Sequence, residues 1–111
     1  MGLTFNNDGT KMFIIGITGD EVNEYSLSTA FDVSTATYVQ NFAVSSQEDV
    51  PRDITFNNDG TKMYVIGTSG DDVNEYSLST AFDVSTASYV QNFPVSSQET
   101  DPMGLTFNND G

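Results

Sequence analysis

The sequence predicts an all-β fold in which one four-stranded antiparallel unit is repeated and stacked. Three observations predict it. The first is a period: Phe5-Asn6-Asn7-Asp8-Gly9-Thr10-Lys11-Met12 returns at residues 56–63, and Asn7, Asn58 and Asn109 are spaced by 51 residues. Residues 1–51 and 52–102 differ at only 12 positions, mostly by mild exchanges such as Phe13 to Tyr64 and Glu21 to Asp72. The second is a series of short apolar and β-branched runs, each bounded by Asn, Asp, Gly or Ser. The third is the run Met12-Phe13-Ile14-Ile15, which is apolar on both faces and therefore needs cover on both sides.

The elements follow in order. Residues 2–5 alternate apolar and polar and read as a first strand. Asn6-Asn7-Asp8-Gly9 is a tight turn, because Asn and Asp brace their own backbone and Gly takes positive φ freely. Asn7, Asp8 and Gly9, with Asn58, Asp59 and Gly60, are the expected turn residues. Residues 11–16 form the doubly apolar second strand. Thr18-Gly19-Asp20 turns the chain, and residues 22–27 make a third strand with mixed faces. Residues 28–36 connect it to a fourth, 37–44, with Asp32, Ser34 and Thr35 able to bond nearby backbone. In that fourth strand Tyr38, Gln40 and Phe42 are expected on one side and Val39, Asn41 and Ala43 on the other. Residues 45–51 link the units, and Pro51 and Pro102 are expected in that linker, outside any ladder. A helix over residues 20–30 is the competing reading, but β-branched residues and turn signals crowd it.

A repeated antiparallel unit of ~50 residues, apolar on both faces, is a β-propeller blade. The expected organisation is one blade in residues 1–51, a second in 52–102, and the innermost strand and turn of a further repeat in 103–111. The residues expected between blades are Phe5, Met12, Ile14, Tyr25, Leu27, Tyr38 and Phe42, with their repeats Phe56, Met63, Val65, Tyr76, Leu78, Tyr89 and Phe93. Two blades do not close a ring, which takes about 4–8. Residues 1–9 and 103–111 share the sequence MGLTFNNDG, so Met103 is internal and Met1 is read the same way. The chain therefore reads as a window on a longer array, with a segment carrying a duplicated end as the alternative.

Phe5-Asn6-Asn7-Asp8-Gly9-Thr10-Lys11-Met12-Phe13-Ile14 resembles the phrase Phe-Ser-Pro-Asp-Gly-x-x-x-Tyr-Val of lactonase-like and surface-layer-type β-propellers. The resemblance covers both repeats and the partial third. Asn7 replaces the usual Pro, while Tyr64-Val65 restores the common Tyr-Val pair. The stretch from Asn23 to Ser34 is similar to one in bacterial and phage repeat proteins of unassigned activity. These resemblances imply a blade fold and carry little about function.

Composition limits the partners. Sixteen acids face three bases, for a net charge of −13, which repels nucleic acid and anionic membrane surfaces. There is no Cys, so disulfides and thiolate metal sites are excluded, and no His, so imidazole bases and ligands are excluded too. No apolar run approaches the ~18 residues of a membrane span. Calcium is the cofactor the residues could hold. Asp20, Glu21 and Glu24, repeated as Asp71, Asp72 and Glu75, offer hard oxygen ligands, although neighbouring acids in a strand point apart. Tyr25 and Tyr76, or Tyr38 and Tyr89, could stack on a glycan, but are better explained as interblade core.

The expected function is a non-catalytic structural repeat protein, extracellular or on a cell or virion surface. It would associate with copies of itself or belong to a tandem array forming a ring or filament. The alternative is a carbohydrate- or calcium-binding propeller module with one equivalent site per blade. No residue is expected to be catalytic.

Overall fold

The computed structural model describes residues 2–111; Met1, and with it the reading of Met1 as an internal methionine, lies outside them. Eight strands form two separate four-stranded antiparallel sheets. The first holds β1 (Gly2–Phe5), β2 (Lys11–Gly16), β3 (Glu21–Leu27) and β4 (Ala36–Ala43), in that spatial order. The second repeats it with β5 (Pro51–Phe56), β6 (Lys62–Gly67), β7 (Asp72–Leu78) and β8 (Ala87–Pro94). The two sheets are β-propeller blades, and the protein is all-β.

The β1–β2 turn forms as its residues dictate. Gly9 has φ of +75°, and its N–H donates to the Asn6 carbonyl at 3.2 Å. The Asp8 carboxylate accepts from the Thr10 N–H at 3.1 Å and the Thr10 hydroxyl at 2.6 Å, while Asn6 Oδ1 accepts from the Lys11 N–H at 2.9 Å. Gly60 repeats the +75° φ, and a Cβ there would stand 2.3 Å from the Phe82 ring. Glycine is thus required both by backbone handedness and by the ring lying on it. The β3–β4 connection holds a 3-10 turn, Val33–Thr35, capped by Asp32, whose carboxylate accepts from the Ser34 N–H at 3.0 Å.

Three expectations need correction. Pro51 is not in a linker: it opens β5, paired with Gly67, where the first position of a strand tolerates the missing N–H. The register of β3 with β4 shifts between Glu24 and Tyr25, so Tyr25 pairs with Tyr38 and Glu24 with Gln40. The bulge at Val39 reverses the alternation, placing Tyr38 on the opposite face from Gln40 and Phe42. Residues 103–107 form no strand in this structure. A strand needs a ladder partner, and no equivalent of β2 stands beside them among the described residues.

Blade 1 packs its Phe13 side on the Met63 side of blade 2. Phe13, Ile15 and Val22 meet Met63, Val65 and Tyr76 in one buried cluster with Val44, Ile54, Leu78 and Val84. Phe13 lies 4.6 Å from Phe56 between ring centroids, and Phe42 meets Tyr76 edge-on at 5.7 Å. The doubly apolar second strand is explained by β6, which has blade 1 on its Met63 side and residues 103–111 on its Tyr64 side.

Candidate functional site

The seam between the blades carries a buried polar network. β3 carries Glu24 on the Phe13 side of blade 1, where the residue is 2% exposed. Its carboxylate accepts from the Val84 N–H of blade 2 at 3.1 Å and from Gln40 Nε2 at 3.1 Å, and it pairs with Lys11 at 3.4 Å. Gln40 also reaches Asp83 at 2.8 Å, and Lys11 Nζ donates to the Phe82 carbonyl at 3.1 Å. Charge and hydrogen bonding therefore converge on the backbone of residues 82–84, and the buried Glu24 carboxylate has the partners that burial requires.

A second brace comes from the segment between blades. Glu48 is 1% exposed and accepts from Val50 N at 3.0 Å, Ser69 N at 3.0 Å, Gly70 N at 3.2 Å and the Ser69 hydroxyl. It thereby fixes the β6–β7 turn of blade 2. Gln47 beside it accepts from the Tyr76 hydroxyl at 3.1 Å, and burial pushes that phenol upward in pKa. A third contact crosses the rim: Asn7 Nδ2 donates to the Asn58 carbonyl at 2.6 Å, and Asn58 Nδ2 donates to the Asn109 carbonyl at 2.5 Å. Asn7 and Asn58 thus reach the next repeat as well as sitting in their own turns.

The structure distributes the expected interblade set by position in the stack. Met63, Val65, Tyr76 and Leu78 are buried at the seam, with Phe42 and Phe56 packed against them. Leu27 is buried, but Phe5, Met12, Ile14 and Tyr25 are only partly covered on the outer side of blade 1. Tyr38, Tyr89 and Phe93 stand outside the seam, exposed by 52%, 43% and 70%. Phe13, Ile15, Val22, Glu24 and Glu48 make the seam instead. The signal for Glu48 was present, since Val44-Ser45-Ser46-Gln47-Glu48 recurs unchanged at residues 95–99, well beyond what a loop requires.

The calcium candidates are not brought together. No group of three acidic residues close enough to hold a metal ion occurs among the described residues. Glu24 is taken up by the seam. Glu75 pairs with Lys62 at 3.8 Å, and Asp72 accepts from Asn74 at 3.0 Å and Asn92 at 2.6 Å. Asp20 and Asp71 sit at positive φ of 53° and 50° in the β2–β3 and β6–β7 turns. Their carbonyls accept from Val44 N at 2.9 Å and Val95 N at 2.8 Å. Glu21, at the start of β3, is partly exposed.

Three turn carboxylates give a pH prediction. Asp8, Asp59 and Asp83 are held below their ordinary value of 3.8, first by the hydroxyls of Thr10, Thr61 and Ser85. A depressed folded pKa stabilises the fold above the unfolded pKa, and that contribution is lost as pH falls through the folded value. From about pH 5 to about pH 2.5, the melting temperature of the parent should therefore fall further than that of the D8N/D59N/D83N variant. Thermal scans at both pH values check it.

The architecture has counterparts among solved structures. No protein-family model matches the sequence, and no curated protein does. Several solved structures resemble it, among them the following three. A functionally unknown protein from Desulfotomaculum acetoxidans matches at TM-score 0.61 and 19% identity, over 84% of this chain and 26% of that one. A protein from Bacteroides uniformis, provisionally assigned as a 6-phosphogluconolactonase, matches at 0.63 and 18%, over 84% and 25%. The periplasmic gluconolactonase of Pseudomonas aeruginosa matches at 0.59 and 13%, over 82% and 23%. The chain spans about a quarter of the length of each. The expectation of a non-enzymatic protein is corrected by these findings, because two of these similar structures carry lactonase descriptions. Propeller sites draw on loops from several blades, so residues missing from two blades do not decide the chemistry of a whole. No helix among the described residues is long and apolar enough to cross a membrane.

Proposed function

We propose that this chain is a stacking module, whose blades pack face to face as the repeating part of a propeller scaffold. The scaffold forms a ring or filament, extended by further repeats or by copies of the chain, and works outside the cytoplasm. One observation carries the reading: contacts at the seam recur one period later. Asn7 to Asn58 is followed by Asn58 to Asn109, and Phe13 against Phe56 is followed by Tyr64 against Phe107 at 4.7 Å. A contact set that regenerates itself at each step is what a stack requires. The acidic surface and the periplasmic neighbour favour the location. Stacking is compatible with catalysis, since the lactonase-named structures share the blades.

Chains concatenated from one, two and three copies of the 102-residue unit test the proposal. Each added unit should raise the melting temperature, because every new seam adds burial. Equal melting temperatures at all lengths would mean that the blades are independent, and would sink the reading.

A second reading rests on Tyr38 and Tyr89, exposed rings at the same place in each blade. They would stack on a glycan once per blade, and a glycan array with no signal would count against it.

A further inference from the structure

We infer that the outer side of blade 2 docks the open side of blade 1 from a second copy of this chain. The inference rests on the stacking reading and adds the partner and its orientation. The seam inside the molecule supplies the template. Tyr64, Val73 and Phe93 stand in blade 2 where Phe13, Val22 and Phe42 stand in blade 1. At the seam those positions are covered by Met63, Val65 and Tyr76. On the outer side of blade 2 they line an open cavity of about 370 Å³, together with Glu75, Leu105 and Phe107. The repeats of the covering residues are Met12, Ile14 and Tyr25, which lie partly uncovered on the far side of blade 1. The molecule therefore presents both halves of a contact that it already makes once.

The polar groups repeat the same asymmetry. Gln91 donates to Glu75 at 3.2 Å and Lys62 pairs with it, as Gln40 and Lys11 do with Glu24. Glu24 also receives the Val84 N–H; the matching donor for Glu75 is the Val33 N–H of an incoming copy. A 500 Å³ cavity beside Lys62, Tyr64 and Phe107 occupies the place that Phe82 fills at the seam. Phe31, the repeat of Phe82, is 59% exposed and available to fill it. Glu99, the repeat of Glu48, is exposed and would meet Thr18 and Gly19, the repeats of Ser69 and Gly70.

Residues 103–111 already hold part of the docking place. Phe107 lies on Tyr64, and Leu105 N donates to Asp53 at 3.1 Å. They are identical to residues 1–9, so the incoming β2 pairs in one register with either segment, and the other is displaced. A contact between unlike faces closes into a ring or propagates as a filament, rather than stopping at a symmetric dimer. Charge opposes it, because two chains of net −13 must meet, so added salt strengthens the association.

The native chain has no Cys, which makes cross-linking clean. In the Q40C/D83C variant, a short bis-maleimide should link the two positions within one chain, since Gln40 and Asp83 are bonded across the seam. In the Q91C/D32C variant the same reagent should link chain to chain, giving covalent oligomers. Sedimentation of the unmodified chain should show association that grows with salt. The F93A variant should weaken that association by about tenfold or more, with an unchanged monomer melting temperature. Failure of the Q40C/D83C link would overturn the stacking reading itself. An intact Q40C/D83C link with a monomeric chain and no chain-to-chain product from Q91C/D32C would overturn the docking inference alone.

Discussion

Replacing Phe13 by alanine is expected to lower the free energy of unfolding by about 3–5 kcal/mol, the range for truncating a buried aromatic. Phe13 is fully buried and touches the rings of Phe56 and Phe82, at centroid distances of 4.6 and 6.4 Å. The repeat supplies an internal control. Tyr64 occupies the same position of the next blade, is partly exposed, and meets Phe107. Tyr64→Ala should cost about 1 kcal/mol, since most of its cover is missing. Urea titrations with unchanged m-values give both numbers. Equal losses at the two positions would mean that burial at the seam is not what holds the blades together.

Glu48→Ala is the second large effect, expected at about 3 kcal/mol, because three part-buried N–H donors lose one shared acceptor at ~1 kcal/mol each. The donors are Val50 N, Ser69 N and Gly70 N, all within 3.2 Å of the carboxylate. Glu99→Ala removes the same residue type from the same local sequence. Glu99 is exposed and its carboxylate accepts from Asp101 N at 2.9 Å within its own turn, so the change should stay within about 0.5 kcal/mol. Thermal or urea unfolding of the pair reads the difference. A large loss from Glu99→Ala would show that the residue acts within its own turn, with no part played by the next blade.

Much of the fold was legible because strands and turns are local. The Asn-Asn-Asp-Gly turn braces itself through Asp8 and Thr10, and the apolar second strand announces cover on both sides. The misplacements have physical causes. Pro51 reads as a linker residue because a proline usually leaves a ladder, yet the first position of β5 accepts it. The bulge at Val39 leaves no mark in composition, and it inverts which of Tyr38 and Phe42 faces the seam. The larger gap concerns burial. Met12 and Met63 are the same residue in nearly the same sequence, yet one is partly exposed and the other fully buried. Their difference arises from place in the stack, which no local pattern encodes. For the same reason Tyr76 is a core residue and Tyr25 is not. Glu24 reads as a calcium candidate because it lies among acids; its partners are Gln40 of the next strand and Val84 of the next repeat. The non-catalytic expectation failed for a related reason, since it judged a multi-blade architecture from the residues of two blades.

The most direct test of the stacked-blade account is amide hydrogen exchange at Val84 and Val33, resolved by NMR in dilute solution. The two residues occupy the same place in their repeats, each opening a 3-10 turn. The Val84 N–H is buried against Glu24 across the seam, whereas Val33 is 61% exposed and meets no such carboxylate among the described residues. Stacked blades give strong protection at Val84 and little at Val33. Equal, fast exchange at both would mean that the blades do not stack.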